Sequence, residues 1–168
     1  MANFQVSYSW MMDNEDAPRA YSTVPDVGGQ AISGINSASY PEEFSTINAL
    51  PQSERGPAVE QFYQTHFWNQ WYAQIASDEV AKRVFDSAVN MGPATAVKLL
   101  QEAVDALGGS LTVDGGWGPM TVIAVNACDA GTLVSEFKAQ RCSHYQAIVA
   151  KNPASQRYLS AWMARAVK

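Results

Sequence analysis

"SDEVAKRVFDSAVNMGPATAVKLLQEAVDALGG", residues 77–109, decides the fold class. Ser77 stands where a helix N-cap is wanted, and Asp78 and Glu79 follow in a first turn whose amide dipoles favour negative charge. Val80, Val84 and Ala88 then recur at spacing four. Gly92 stops this helix and Pro93 starts the next, where Val97, Leu100, Val104 and Leu107 recur at three and four until Gly108-Gly109 ends it. Two amphipathic helices joined this tightly predict a helical scaffold.

Working outward, helical patterns resume after Gly118-Pro119 in "MTVIAVNAC" and "LVSEFKAQRCSHYQAIVAK", and a last one begins near Pro153 with Tyr158, Trp162 and Met163. Upstream, "AVEQFYQTHFWNQWYAQI" (58–75) reads as one run with aromatic residues on several faces, which a helix would bury on more than one side. Phe4, Ser7, Tyr8, Met11 and Met12 repeat at three and four, which predicts a short helix ending at the acids of residues 13–16. From there to about residue 57 the breakers Pro18, Pro25, Gly28, Gly29, Gly34, Pro41, Pro51, Gly56 and Pro57 predict loops. Short strands fit only the stretch from 22 to 37, with "AISGI" alternating, and the brief "SLTV" (110–113). The expectation is a mainly α protein of α+β type, with a short β-hairpin or loop region near residues 20–37.

The chain of 168 residues is 47 % hydrophobic, enough for a substantial core without disulfide or metal staples. Sixteen Asp and Glu against eleven Lys and Arg give a formal net charge of -5. No basic stripe exists to neutralise phosphates, which argues against nucleic acid and against anionic membranes as partners. No run approaches the roughly 18 apolar residues of a membrane span, and the opening "MANFQVSYSWMMDNEDAP" lacks the pattern of an export signal. Cys128 and Cys142 have no metal-ligand spacing and read as two small hydrophobes, and His66 and His144 lie far apart. The absence of HExxH, GxSxG and Walker-type loops leaves zinc-peptidase, serine-hydrolase and P-loop readings without support, and no metal or cofactor is expected.

Chemistry then falls to carboxylates. In "DNEDAPRAYSTVPDVGGQAISGIN" (13–36), Glu15 at a helix end and Asp26 ahead of Gly28-Gly29 could face each other across a cleft, as glycosidic bond cleavage requires. Glycines there would let a polysaccharide approach the backbone closely. The same acids also fit a solvated loop. Asp86 and Asn90 share a helix face in "FDSAVNMGP", which suits a polar cleft or a capped helix end. In "TVDGGWGPMT" (112–121), Asp114-Gly115-Gly116 makes a tight turn, and Trp117 reads as a core anchor before a sugar platform.

Together these segments resemble the glycoside hydrolase family 108 N-acetylmuramidases, the secretion-activator and phage endolysin group with a lysozyme-like helical fold. Glu15, "DVGGQAISGI" (26–35), "FYQTHFW", "FDSAVNMGP", "KLLQEAV" and "VDGGWGPMT" carry the resemblance, which covers almost the whole chain. It implies a catalytic lobe over residues 1–95 and a helical peptidoglycan-binding-like region over 96–168, packed as one compact unit. It implies Glu15 as general acid and Asp26 as second carboxylate or electrostatic partner, acting on the β-1,4 bond between N-acetylmuramic acid and N-acetylglucosamine. Tyr21, Tyr63 and Trp68 could stack on sugar faces in a groove with Gly28 and Gly29, alongside Asp86 and Asn90, while Trp68 fits burial in the core at least as well.

Asp16-Ala17 stands where the family has Gly-Gly, and Ala31 stands at the family's threonine position, with Ser33 as the nearby hydroxyl that could orient water. Asp16 beside Glu15 is expected to raise the glutamic acid's proton affinity by like-charge repulsion. The implied partner is the glycan strand of peptidoglycan, met by a monomer. That monomer is expected to be made in the cytoplasm without a signal peptide and delivered by a holin or a secretion system to act in the periplasm or on the wall. A non-catalytic wall-binding or scaffolding module is the alternative that the same scaffold allows.

Overall fold

The computed structural model describes residues 1–168 and contains eight α-helices and one small sheet. Helix α1 (Phe4–Glu15) starts at Asn3, whose side chain accepts from the Gln5 and Val6 amides, and buries Ser7, Tyr8, Met11 and Met12. The Asn3 amide donates to Asp78 at 2.7 Å, which ties the start of α1 to the start of a later helix. Strands β1 (Thr23–Asp26), β2 (Gly29–Ile32) and β3 (Ile35–Asn36) form an antiparallel meander in the order 1-2-3. Thr23 pairs with Ile32 and Asp26 with Gly29, so Val27-Gly28 is the tip of the first hairpin. Ser33-Gly34 turns β2 into β3 with φ of +48° and +84°, the two positive values of a type I′ turn. Ile32 and Ile35 flank that turn fully buried and pin it to the core.

Residues 41–57 are not loop throughout. Pro41 starts α2 (Pro41–Asn48), with Glu42 and Glu43 in its first turn and Phe44 and Ile47 buried, so proline here opens a helix rather than breaking one. Helix α3 (Arg55–His66) ends well before residue 75, because the aromatic residues that follow turn back on themselves. Trp68 stacks on Tyr72 at 5.1 Å and meets Phe4 and Phe85 edge-on, and Tyr72 sits in a short 3-10 turn, Tyr72–Gln74. Phe85, Trp68 and Tyr72 bury more area by clustering than one straight helix would allow.

Helices α4 (Asp78–Met91) and α5 (Pro93–Ala106) follow the expected pattern and hinge at Gly92, φ +90°. Ser77 precedes α4, but its side chain makes no cap bond. The turn after α5 holds no strand at 110–113. Gln101 instead donates to Asp114 and to the Gly116 carbonyl and accepts from the Gly115 amide, while Trp117 packs edge-on to Tyr72. Helices α6 (Pro119–Ala127), α7 (Ala130–Lys151) and α8 (Gln156–Ala166) complete the chain. One apolar core runs from Ala2 and Met11 through Val84 and Phe85 to Leu100, Leu133 and Phe137, and the fold is mainly α. No helix is long and apolar enough to cross a membrane.

Candidate active site

Helix α1 delivers Glu15 as its last residue, and the chain then leaves sharply at Asp16. The Glu15 carboxylate is mostly sheltered, with 17 % of its side chain exposed. Its Oε1 accepts from Arg165 Nη2 of α8 at 2.7 Å. Its Oε2 lies against Gly34, where an added Cβ would stand 2.6 Å from that oxygen and 2.8 Å from the Tyr63 hydroxyl. Only glycine admits the carboxylate here. Tyr63, fully buried on α3, donates its hydroxyl to the Ser33 carbonyl at 2.7 Å and so fixes the turn that carries Gly34. Burial, and then the Glu15 charge, push the Tyr63 hydroxyl well above its ordinary range, so it stays a neutral donor.

Asp16 does not face Glu15's chemistry. Its carboxylate accepts from Ser33 Oγ at 2.7 Å, the Tyr21 amide at 2.8 Å and the Ala20 amide at 3.1 Å. Burial works against its charge, but those bonds outweigh it and hold the carboxyl below its ordinary value. The loop it ties down contains two left-handed non-glycine residues, Arg19 at φ +52° and Tyr21 at φ +51°. The charge against Glu15 is therefore the arginine of α8, not the neighbouring aspartate. Ser33 is buried and its hydroxyl is spent on Asp16, so it is not free to orient water. Ala31 is buried in β2.

Asp26 stands at the exposed tip of the first hairpin, where it accepts from the Val27 amide and from Asn36 Nδ2, both at 2.7 Å. The Asp26–Gly29 pair and the Thr23–Ile32 pair that leads into the Gly34 turn are separated by three strand rises, roughly 10 Å. A cleft of about 330 Å³ lies beside the Gly34 turn. It is lined by Gly34, which touches Glu15, and Asn36, which holds Asp26, with Tyr40, Phe67, Val89 and Gly92 opposite.

Other expected contacts fall elsewhere. Trp68 is partly exposed but packs against the aromatic core, stacked on Tyr72 and edge-on to Phe85, and does not line the cleft. Tyr63 borders the cleft, but only 1 % of it is exposed, so it cannot stack on a sugar. Tyr21 lies beside Gly56 and lines a separate hollow with Arg19 and Gln52. Gly28 and Gly29 are exposed at the hairpin tip, Gly28 at φ +83° for the turn, so the backbone approach that matters for the acid is at Gly34 instead. Asp86 is fully buried and bonded to Arg141 and Arg165, and Asn90 accepts from Tyr145 of α7, so neither projects into a cleft. His66 bonds Glu43 and stacks on Phe62.

Sequence reading missed Gly34, Arg165 and Arg141. Ser-Gly between two isoleucines was a turn signal in plain view, whereas nothing local marks an arginine 150 residues from its partner.

The chain as a whole is similar to known protein families. The glycosyl hydrolase 108 family model matches residues 15–92, and the model described as a predicted peptidoglycan domain matches residues 95–167. The chain carries a glycosyl hydrolase family 108 domain over residues 15–92. It is a glycoside hydrolase of peptidoglycan-hydrolase type, with a peptidoglycan-binding-like region as its second half. Among solved structures, SagA of Brucella abortus superposes with a TM-score of 0.61 at 23 % identity, over 98 % of this chain and 93 % of that one. That likeness carries the fold. No curated protein matches the chain.

Proposed function

We propose that this family 108 hydrolase is an N-acetylmuramidase that cuts the β-1,4 bond between N-acetylmuramic acid and N-acetylglucosamine, with Glu15 as general acid. The carrying observation is the seat of Glu15: largely out of water, one oxygen held, the other against Gly34, which lines the cleft. Protonated at Oε2, Glu15 gives its proton to the bridging oxygen as the C1–O bond breaks, and the bond's electron pair stays with that oxygen. Asp26, bonded to the cleft-lining Asn36, is the second carboxylate in this reading. Asp26 and the Gly34 turn that meets Glu15 stand at opposite ends of the β1–β2 hairpin, which favours a water between the acids over direct attack by a carboxylate and so supports an inverting reaction. That water adds to C1, and its proton passes to Asp26.

Tyr40 and Phe67 line the cleft where the sequence suggested Trp68, and they are the apolar surfaces a sugar ring would meet. Residues 1–95 supply the acids and residues 96–168 the scaffold behind them, so the two act as one unit. Delivery by a holin or secretion system, and action in the periplasm or on the wall by a monomer, complete the reading. Reducing-sugar release from purified sacculi tests it. Wild type should release reducing ends at least about 100-fold faster than Glu15→Gln, while both pellet equally with sacculi. Equal release by the two would remove Glu15 from the chemistry.

A further inference from the structure

Helix α8 enters the catalytic side of the molecule through one residue. Arg165 Nη2 lies 2.7 Å from Glu15 Oε1 and 2.7 Å from Asp86 Oδ1, and Nε lies 3.0 Å from the same Asp86 oxygen. Asp86 is completely buried and takes a second arginine, Arg141 of α7, at 3.0 Å, as well as Asn14 Nδ2 at 3.1 Å. Two carboxylates and two guanidinium groups therefore balance in one buried chain: Glu15, Arg165, Asp86, Arg141.

We propose that Arg165 is the positioning residue of the general acid: the C-terminal region acts as the rear wall of the active site, holding Glu15 Oε1 so that Oε2 alone faces the glycosidic oxygen. The inference rests on the reading of Glu15 as the acid. The geometry supports it in three ways. Two nitrogens of one planar guanidinium hold Asp86, so the arginine keeps its place whether or not Glu15 carries a proton. Oε1 is taken by Nη2, which leaves Oε2, the oxygen against the cleft-lining Gly34, to deliver the proton. Once that proton has gone to the leaving oxygen, Glu15 is a carboxylate with a cation already in place, so the charge formed in the step meets a preorganised partner. A lysine offers a point charge without the fork and cannot span both acids with the same geometry.

Full-length wild type, Arg165→Lys, Arg165→Met and Glu15→Gln, assayed for kcat, KM, pH–rate profile and melting, decide the matter. The groups facing Glu15 are Tyr63 on α3, Asp86 on α4, Arg141 on α7 behind Asp86, and Arg165 itself. Arg165 is the one whose removal should move the alkaline limb of the profile. Arg165→Lys is expected to fold, to lose roughly 10- to 100-fold in kcat with KM and sacculus pelleting unchanged, and to shift that limb. Arg165→Met should lose more in kcat, and if it does not fold the lysine variant decides.

A folded Arg165→Lys with wild-type kcat and an unmoved pH profile would overturn the proposal. Wild-type turnover no greater than that of Glu15→Gln sinks the acid assignment instead. In that case the brace is judged by melting of Glu15→Gln, Arg165→Lys and the double variant: non-additive shifts uphold it, and additive shifts overturn it.

Discussion

Glu15 and Asp16 are adjacent in the chain and do different work. Glu15 ends α1 against the Gly34 turn, whereas Asp16 turns the other way and accepts from two amides of the strained Arg19–Tyr21 loop and from the Ser33 hydroxyl. A left-handed conformation costs roughly 1–2 kcal/mol per non-glycine residue, so that loop needs an acceptor to hold it. The folded carboxyl of Asp16 titrates below its ordinary value. Its contribution to stability is therefore complete above about pH 4, the unfolded value, and fades as pH falls through the folded one. Thermal melts of Asp16→Asn against wild type should show a gap at pH 7 that narrows steadily below pH 4. A gap independent of pH would show that charge is not what Asp16 supplies. The sequence placed both acids at the site but read Asp16 as a repulsive neighbour, because it could not reveal that Ser33, seventeen residues on, would bond to it.

At the scale of elements, the Ser33-Gly34 turn sets the site. Ile32 and Ile35 fix it to the core, Tyr63 ties its carbonyl, and Gly34 leaves just enough room for Oε2. Gly34→Ala puts a methyl group into Glu15 and Tyr63 at a backbone angle that alanine resists. The variant should melt several degrees lower, consistent with about 1–2 kcal/mol, and lose most of its kcat. Wild-type kcat in the folded variant would show that the turn does not constrain the acid. Helices α4 and α5 were legible because their apolar residues recur at strict helical spacing between a proline and glycines. Helix α2 was hidden, since prolines and glycines on either side made residues 41–48 look like loop although Pro41 sits where a helix accepts it. The aromatic run to residue 75 misled in the opposite direction: Trp68 and Tyr72 pack on each other across a turn, and periodicity alone does not report such a reversal.

Across the whole molecule, the buried charges join the two halves of the chain. Asp86 on α4 meets Arg141 on α7 and Arg165 on α8, and Arg165 reaches back to Glu15 at the end of α1. Asp86→Asn leaves two arginines, one with a completely buried side chain, sharing a neutral partner. Removing one member of such a group costs roughly 3–5 kcal/mol, so urea unfolding should show a loss of that order. A loss under about 1 kcal/mol would mean that water compensates the arginines. The sequence marked Glu15 and Asp86 as candidate site residues but not their pairing through Arg165 and Arg141, since the members lie up to 150 residues apart and neither arginine stands out locally.

The central claim is that Glu15, braced from behind and open toward Gly34, protonates the oxygen leaving a muramic acid. The most direct measurement is to digest purified sacculi, reduce the new ends with borohydride, hydrolyse the product and weigh the reduced sugars. The account predicts reduced muramic acid as the new end with wild type and none with Glu15→Gln. Reduced glucosamine from wild type, or equal amounts of reduced muramic acid from both proteins, would contradict it.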